Sequence, residues 1–275
     1  TDLVAPTPTF GCFGNNEVVI ASVENVGMDN VDFATTNATV TLNVSGANTG
    51  TYTATLNAGT LTTNQTINAQ FPGVDLSVPG SSDFSITVAF PGDGVAGNDT
   101  LIDSVFTQPT ITSFPYVEDF ESGPGGWIAG GSASSWAFGT PAKNTITGAN
   151  SGFNAWTTGG LGTGNYNSGE NSAVLSPCCD FTTLTTPSTV SLAIWYESEN
   201  SFDGAVLQSS IDGGATWQNV GAFGDPNNWY TDNTISGNPG GQQEGWTGRD
   251  NTSDGSGGWV QAENVLDSSL LGQAD

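Results

Sequence analysis

The sequence predicts an all-β chain built as two sandwich units in series, on three observations. Apolar and polar residues alternate with a period of two in segment after segment, as in strands whose successive side chains face opposite sides. The connections are rich in Gly, Asn and Pro, with 38 Gly and 13 Pro among 275 residues, the residues that supply the special φ angles of tight turns. No helical period appears before the final residues, where it is weak.

The first unit is expected over residues 1–112. Glu17 to Asn25 reads as a mostly apolar strand ending at Asn25-Val26-Gly27. Val40, Leu42 and Val44 then face one way while Thr39, Thr41 and Asn43 face the other. Tyr52, Ala54 and Leu56 oppose a row of threonines, and Ile67, Ala69 and Phe71 oppose Thr66, Asn68 and Gln70. Phe84, Ile86, Val88 and Phe90 continue the pattern, and Leu101 to Phe106 closes it. Short strands with one apolar face each, separated by turn residues, predict an immunoglobulin-like β-sandwich. Thr107 to Pro115, with proline near both ends, reads as a stiff linker.

The second unit, 113–275, opens on Tyr116-Val117-Glu118-Asp119-Phe120-Glu121 and is organised around Val190–Gly221. Val190, Leu192 and Ile194 mark one strand and Ala205–Ile211 a second, giving a predicted β-meander with Glu197, Glu199 and Asp203 at one corner. Ser210-Ile211-Asp212-Gly213-Gly214-Ala215-Thr216-Trp217 fits the S-x-D-x-G-x-T-W pattern of the Asp-box hairpin. There the aspartate accepts turn amides and the tryptophan packs beneath the turn, so Ser210, Asp212, Gly214 and Trp217 are read as structural. Asp boxes recur in sialidases, which clamp a substrate carboxylate with three arginines. Arg249 is the one arginine here, and that reading is set aside.

Charge narrows the function classes. Charged residues make up 11% of the chain, yet the net charge is −25, because Lys143 and Arg249 are the only lysine and arginine. Such a chain cannot neutralise a phosphate backbone, so nucleic acid is excluded as a partner, and an anionic membrane surface with it. No apolar stretch is long enough to cross a bilayer, so no direct membrane insertion is expected. Histidine is absent, which removes Ser-His-Asp and Cys-His catalysis and the commonest zinc sites. Carboxylate chemistry survives that filter, and Glu197 with Glu199 has the spacing of a glycosidase pair without other support. The chain is therefore expected not to be an enzyme.

The three cysteines are Cys12 and the neighbours Cys178 and Cys179. Adjacent Cα atoms lie about 3.8 Å apart, below the usual disulfide span of roughly 4.4–6.8 Å, so a vicinal bridge would be strained. A bridge from Cys12 to one of the pair, or three small buried side chains, remain open. Asn-x-Ser/Thr sequons occur at Asn37, Asn43, Asn64, Asn98 and Asn251.

The ordered set PYVEDFESG…GW, SSWAFGTP, NAWTT, NSAVLSPCCDF, ESENSFDGAVLQSSIDGGATWQNVG, NWY and GWTG resembles the MAM-like, concanavalin-like jelly-roll module of large secreted Bacteroidota proteins. The preceding VVIASVENVG, LNAGTL and DFSITVAF resemble the CARDB-type or fibronectin-like modules found before it. The resemblance implies an extracellular, cell-surface protein exported by the type 9 secretion route, structural or adhesive and in some cases serving gliding motility. Carbohydrate-binding modules and accessory domains of secreted hydrolases or proteases are the alternatives. It further implies a structural calcium at Glu121, with Asp119, Glu199 and Asp203 as plausible companions, because calcium takes carboxylate and carbonyl oxygens and needs no histidine. Asp99-Thr100-Leu101 and Asp103-Ser104-Val105 resemble the O-glycosylation signal of such proteins, at Thr100 and Ser104. Trp229, Tyr230 and Trp246 are candidate glycan contacts, since flat aromatic faces bury sugar ring faces. Partners are then surface glycans or other copies of the protein within a larger assembly. The chain stops before the last strand of similar jelly rolls, so the module is expected to take that edge from elsewhere.

Overall fold

The structure is a computed structural model that describes residues 1–249 and 255–274. It is all-β, interrupted by 3₁₀ turns such as Ala96–Asn98 and Ser268–Leu270. It divides into two compact units, Thr1–Pro109 and Thr110–Asp275.

The first unit holds β1 (Asp2–Ala5), β2 (Phe10–Gly11), β3 (Glu17–Glu24), β4 (Val31–Asp32), β5 (Ala38–Gly46), β6 (Gly50–Leu56), β7 (Thr60–Leu61), β8 (Thr66–Val74), β9 (Gly80–Ala89) and β10 (Thr100–Thr107). Two sheets enclose its core, a three-stranded one ordered β1-β3-β8 and a five-stranded one ordered β2-β10-β9-β5-β6. The period-two reading explains the register. β5 buries Ala38, Val40, Leu42 and Val44 and turns the residues between them outward, and β9 does the same with Phe84 and Ile86. Leu42 lies opposite Ile86 and Val44 opposite Phe84, so a one-residue slip would carry every one of these side chains into water. Phe71 from β8 and Val19 from β3, both at 0% exposure, meet them from the other sheet. Fully burying side chains of this size contributes about 1.5–3 kcal/mol each. The loop before β6 is tied down by Asn48, whose amide accepts from Val78 N and donates to Val78 O, both at 2.9 Å.

The second unit holds β11 (Thr110–Ile111), β12 (Ile128–Ser132), β13 (Ala137–Gly139), β14 (Ala155–Thr157), β15 (Asn171–Leu175), β16 (Cys178–Cys179), β17 (Thr189–Ile194), β18 (Gln208–Ser209), β19 (Gln218–Asn219) and β20 (Val260–Val265). They pair two by two: β11 with β16, β12 with β15, β13 with β14, β17 with β20, and β18 with β19. The stretch expected as a linker therefore carries a strand, with Thr110 opposite Cys178 and Ile111 opposite Cys179.

The predicted meander is corrected too. β17 pairs with β20, from Thr189 opposite Val265 to Ile194 opposite Val260, and not with the segment that follows it. The Ala205–Ile211 strand is divided between two partners. Ala205 exchanges both backbone hydrogen bonds with Trp246 at 3.0 and 2.9 Å, while Val220 N donates to Leu207 O at 3.0 Å above the β18–β19 hairpin. Periodicity marks extended chain but does not name its neighbour. The core here is Val220, Trp229, Tyr230, Trp246 and Ala262, with Val190, Leu192 and Ile194 of β17 packed against it.

Candidate functional site

The opening Asp-Phe-Glu of the second unit is a network of self-supporting turns. Glu118 accepts Phe120 N at 2.7 Å and Asp119 accepts Glu121 N at 3.0 Å. Phe120 sits in the left-handed region at φ 63°, sparsely populated for a bulky residue. It is held there by edge-on contacts with Trp127 and Phe138 at 5.7 and 6.3 Å. Glu121 reaches across the loop and accepts Phe153 N and Asn154 N, both at 2.8 Å. Gly152, at φ 57°, lies against that carboxylate, and an added Cβ would collide with it.

Glu199 and Asp203 belong to a different cluster. The Glu199 carbonyl accepts the amides of Phe202 and Asp203, and the Asp203 carboxylate accepts Tyr166 Oη–H at 2.8 Å. Burial raises the Tyr166 pKa, its largest cause, so the phenol keeps that proton. The expected calcium quartet of Asp119, Glu121, Glu199 and Asp203 is thus corrected: the four do not form one site. Among the described residues, no three His, Cys, Asp or Glu side chains gather to hold a metal ion.

Beside this corner lies an open polar cavity of about 240 Å³ lined by Asn200, Ser201, Thr231, Asp232 and Thr247. Ser201 Oγ–H donates to Asp232 at 2.6 Å, and Thr234 donates its amide and its hydroxyl to the other carboxylate oxygen, both at 2.7 Å. The Ser201 bond, ahead of the opposing effect of burial, holds the Asp232 pKa below the ordinary carboxylate value. Thr247, 2% exposed, donates to Asp203 O at 2.6 Å and accepts Ser201 N at 3.2 Å. Ser201, Asp232 and Thr247 are thus bonded to one another and to the chain around them.

The Asp-box hairpin is built as its spacing implies. Asp212 accepts Thr216 N at 2.8 Å, Thr216 Oγ1–H at 2.6 Å and Ser210 Oγ–H at 2.8 Å, and Ser210 Oγ accepts Gly214 N at 2.9 Å. The Thr216 hydroxyl bond is the largest of the causes that lower the Asp212 pKa. Trp217 Nε1–H donates to Gly214 O at 3.0 Å, yet the residue is 45% exposed. Sequence reasoning assigned that indole to the turn and missed its open surface.

The candidate glycan contacts Trp229, Tyr230 and Trp246 are corrected. They are 2%, 3% and 4% exposed and pack on one another, with ring centroids 4.8 to 5.5 Å apart. Their polar tips are turned inward. Trp229 Nε1–H donates to Val220 O, Tyr230 Oη–H to Leu207 O and Trp246 Nε1–H to Asn228 O. Burial, the largest cause, pushes the Tyr230 pKa up to about 12. These rings form core, where each buries a large apolar surface against the others.

Sequence reading also missed Glu170. It accepts the amide and hydroxyl of Ser135, the amide of Asn167 and the hydroxyl of Ser172. The signal, a glutamate between Gly169 and Asn171 in a Gly- and Asn-rich stretch, is too common to single it out.

In the first unit, Thr100, Ile102 and Ser104 share the exposed face of β10, with Ile102 at 70% exposure. Of the cysteines, Cys12 and Cys178 are disulfide-bonded, and Cys179 is a half-buried free thiol whose pKa burial raises. The Asn251 sequon lies outside the described residues.

Fold and surface together define a two-unit all-β chain in which Glu121, Glu170, Asp212 and Asp232 hold loops through main-chain amides, while Glu197 Oε2 is buried without a hydrogen-bond partner among the described residues. No family model matches it. Over 136 residues, 48% of the chain, it is 32% identical to bacillopeptidase F of Bacillus subtilis (strain 168). The match spans 9% of that relative's length. A solution NMR structure of a domain described as part of a cell surface protein of Methanosarcina acetivorans aligns with 38% of the chain and 90% of its own, at 25% identity and a TM-score of 0.29. Among the described residues, no helix is long and apolar enough to cross a membrane.

Proposed function

We propose that the chain is a non-enzymatic, adhesive building segment of a larger secreted protein displayed on the cell surface. The observation that carries this reading is the use made of its acids. Glu121, Glu170, Asp212 and Asp232 each accept main-chain amides, which suits turn clamps rather than an acid and a base poised against a substrate. Net charge of −25 keeps such a segment soluble in a salty exterior, where screening weakens self-repulsion. The test is retention. Beads carrying the purified chain are expected to adhere to polysaccharide-coated or bacterial surfaces, while casein and aryl glycosides stay intact. Turnover of any of these substrates by the pure chain overturns the reading.

Thr100 and Ser104, on the exposed face of β10, are the proposed O-glycan sites. Protein taken from its native host is expected to weigh more than the bare chain, and Thr100→Ala and Ser104→Ala each to remove one increment. An unmodified intact mass overturns this assignment.

The similarity to a small part of bacillopeptidase F favours one second reading, an accessory segment of a secreted peptidase. The complete reading frame separates the two, since an attached peptidase domain would favour the accessory role and tandem copies of these units the adhesive one.

A further inference from the structure

We propose that the Asp212 hairpin presents Trp217 as a stacking platform for the hexose rings of a neutral glycan, an inference that rests on the adhesive reading above. The chain has eight tryptophans, all of them among the described residues, and Trp217 alone is exposed. Its ring is fixed before any ligand arrives. Nε1–H is held by Gly214 O at 3.0 Å, and the benzene edge lies over Gly214, where an added Cβ would meet Cζ2 at 3.3 Å. Gly214 itself adopts φ 86°, which the turn requires and a larger residue resists. Beneath it, the Asp212 bonds to Thr216 and Ser210 fix the turn. An aromatic surface whose rotamer freedom is already lost gives up less on binding than a mobile one.

The edge of the indole therefore serves the turn while nearly half of the residue's surface remains open. A pyranose ring matches such a surface, because its C–H face buries apolar area against the ring while its rim keeps hydroxyls. The same hairpin supplies partners for those hydroxyls in the exposed side chains of Asp212, Thr216 and Gln218. Exposed Ile211, at 42%, adds apolar area. The sign of the ligand follows from charge. At −25 with two cations, the chain repels uronic-acid and sulfated polymers and leaves neutral hexose chains as the class that fits.

Affinity electrophoresis and calorimetry with the full 275-residue chain test this, using laminarin, xyloglucan and mannan as neutral probes and alginate as the acidic one. The chain is expected to bind at least one neutral polymer, with a shift in tryptophan emission, and to ignore alginate. Trp217→Ala is expected to weaken binding about tenfold or more. Trp217→Phe keeps a ring face and most of the affinity, and Trp217→Leu, apolar without a π face, behaves as the alanine variant does. If Trp217→Ala loosens the hairpin, the Phe and Leu variants still decide. Binding to none of the neutral polymers, equal binding by Trp217→Leu and the wild type, or equally tight alginate binding overturns the proposal. Those results are distinct from failure of the adhesive reading, which shows as wild-type beads retained on no surface.

Discussion

Trp246→Ala is expected to destabilise the Thr110–Asp275 unit by about 3–5 kcal/mol, the range for deleting a fully buried aromatic side chain. The residue is 4% exposed and stands edge-on to both Trp229 and Tyr230, with centroids 5.1 and 4.8 Å away. Removing it opens a cavity between two rings that cannot close over it, since Trp229 and Tyr230 are themselves fixed by bonds to Val220 O and Leu207 O. It also leaves Asn228 O without its indole donor, a further desolvation cost. Trp246→Phe keeps most of the ring contacts and loses only that bond, so it should cost far less. The measurement has a built-in filter. All eight tryptophans lie beyond residue 109, so denaturation followed by tryptophan emission reads the second unit alone and avoids a two-state treatment of a two-unit chain. A loss below about 1 kcal/mol for the alanine variant would mean that these rings do not form the core described.

Which features were legible in the sequence follows from the range over which each is determined. In β5 the strand and its inward face could be read directly, because Val40, Leu42 and Val44 alternate with polar residues and one face is buried. The same local rule located β17 but could not name β20, whose partner residues lie far along the chain. The Asp-box turn was legible because its bonds close within Ser210–Trp217. The tryptophans were not, since exposure is set by non-local packing. Trp229 and Trp217 both follow Gly-rich, polar stretches, yet one is enclosed by two rings and the other ends a hairpin. The calcium quartet failed for a similar reason. Glu121 is engaged by amides at Phe153 and Asn154, and nothing in the local sequence announces that loop as its partner.

Glu170 gives the sharpest test of the carboxylate-as-clamp idea, because its effect depends on pH in a defined direction. Burial alone would raise its pKa, but the bonds from Ser135, Ser172 and Asn167 outweigh it and hold the carboxyl below its ordinary value. The unfolded chain therefore takes up a proton here before the folded one does. This contribution is fully present above the unfolded pKa of about 4.3 and is lost as pH falls through the lower folded value. Glu170→Ala is expected to cost about 2–3 kcal/mol at neutral pH, since several donors lose a charged acceptor, and to free the 133–135 and 167–172 segments together. Glu170→Gln carries two donors where bonds must be accepted and should cost nearly as much. Other clamps, Asp212 and Asp232 among them, also weaken in acid, so the diagnostic quantity is the difference between wild type and Glu170→Gln, measured by denaturation from pH 7 down to about pH 3. That difference should shrink steadily once the pH drops below about 4.3. A gap that stays constant across the range would assign the loss to misfit of the amide and remove the carboxylate's charge from the account.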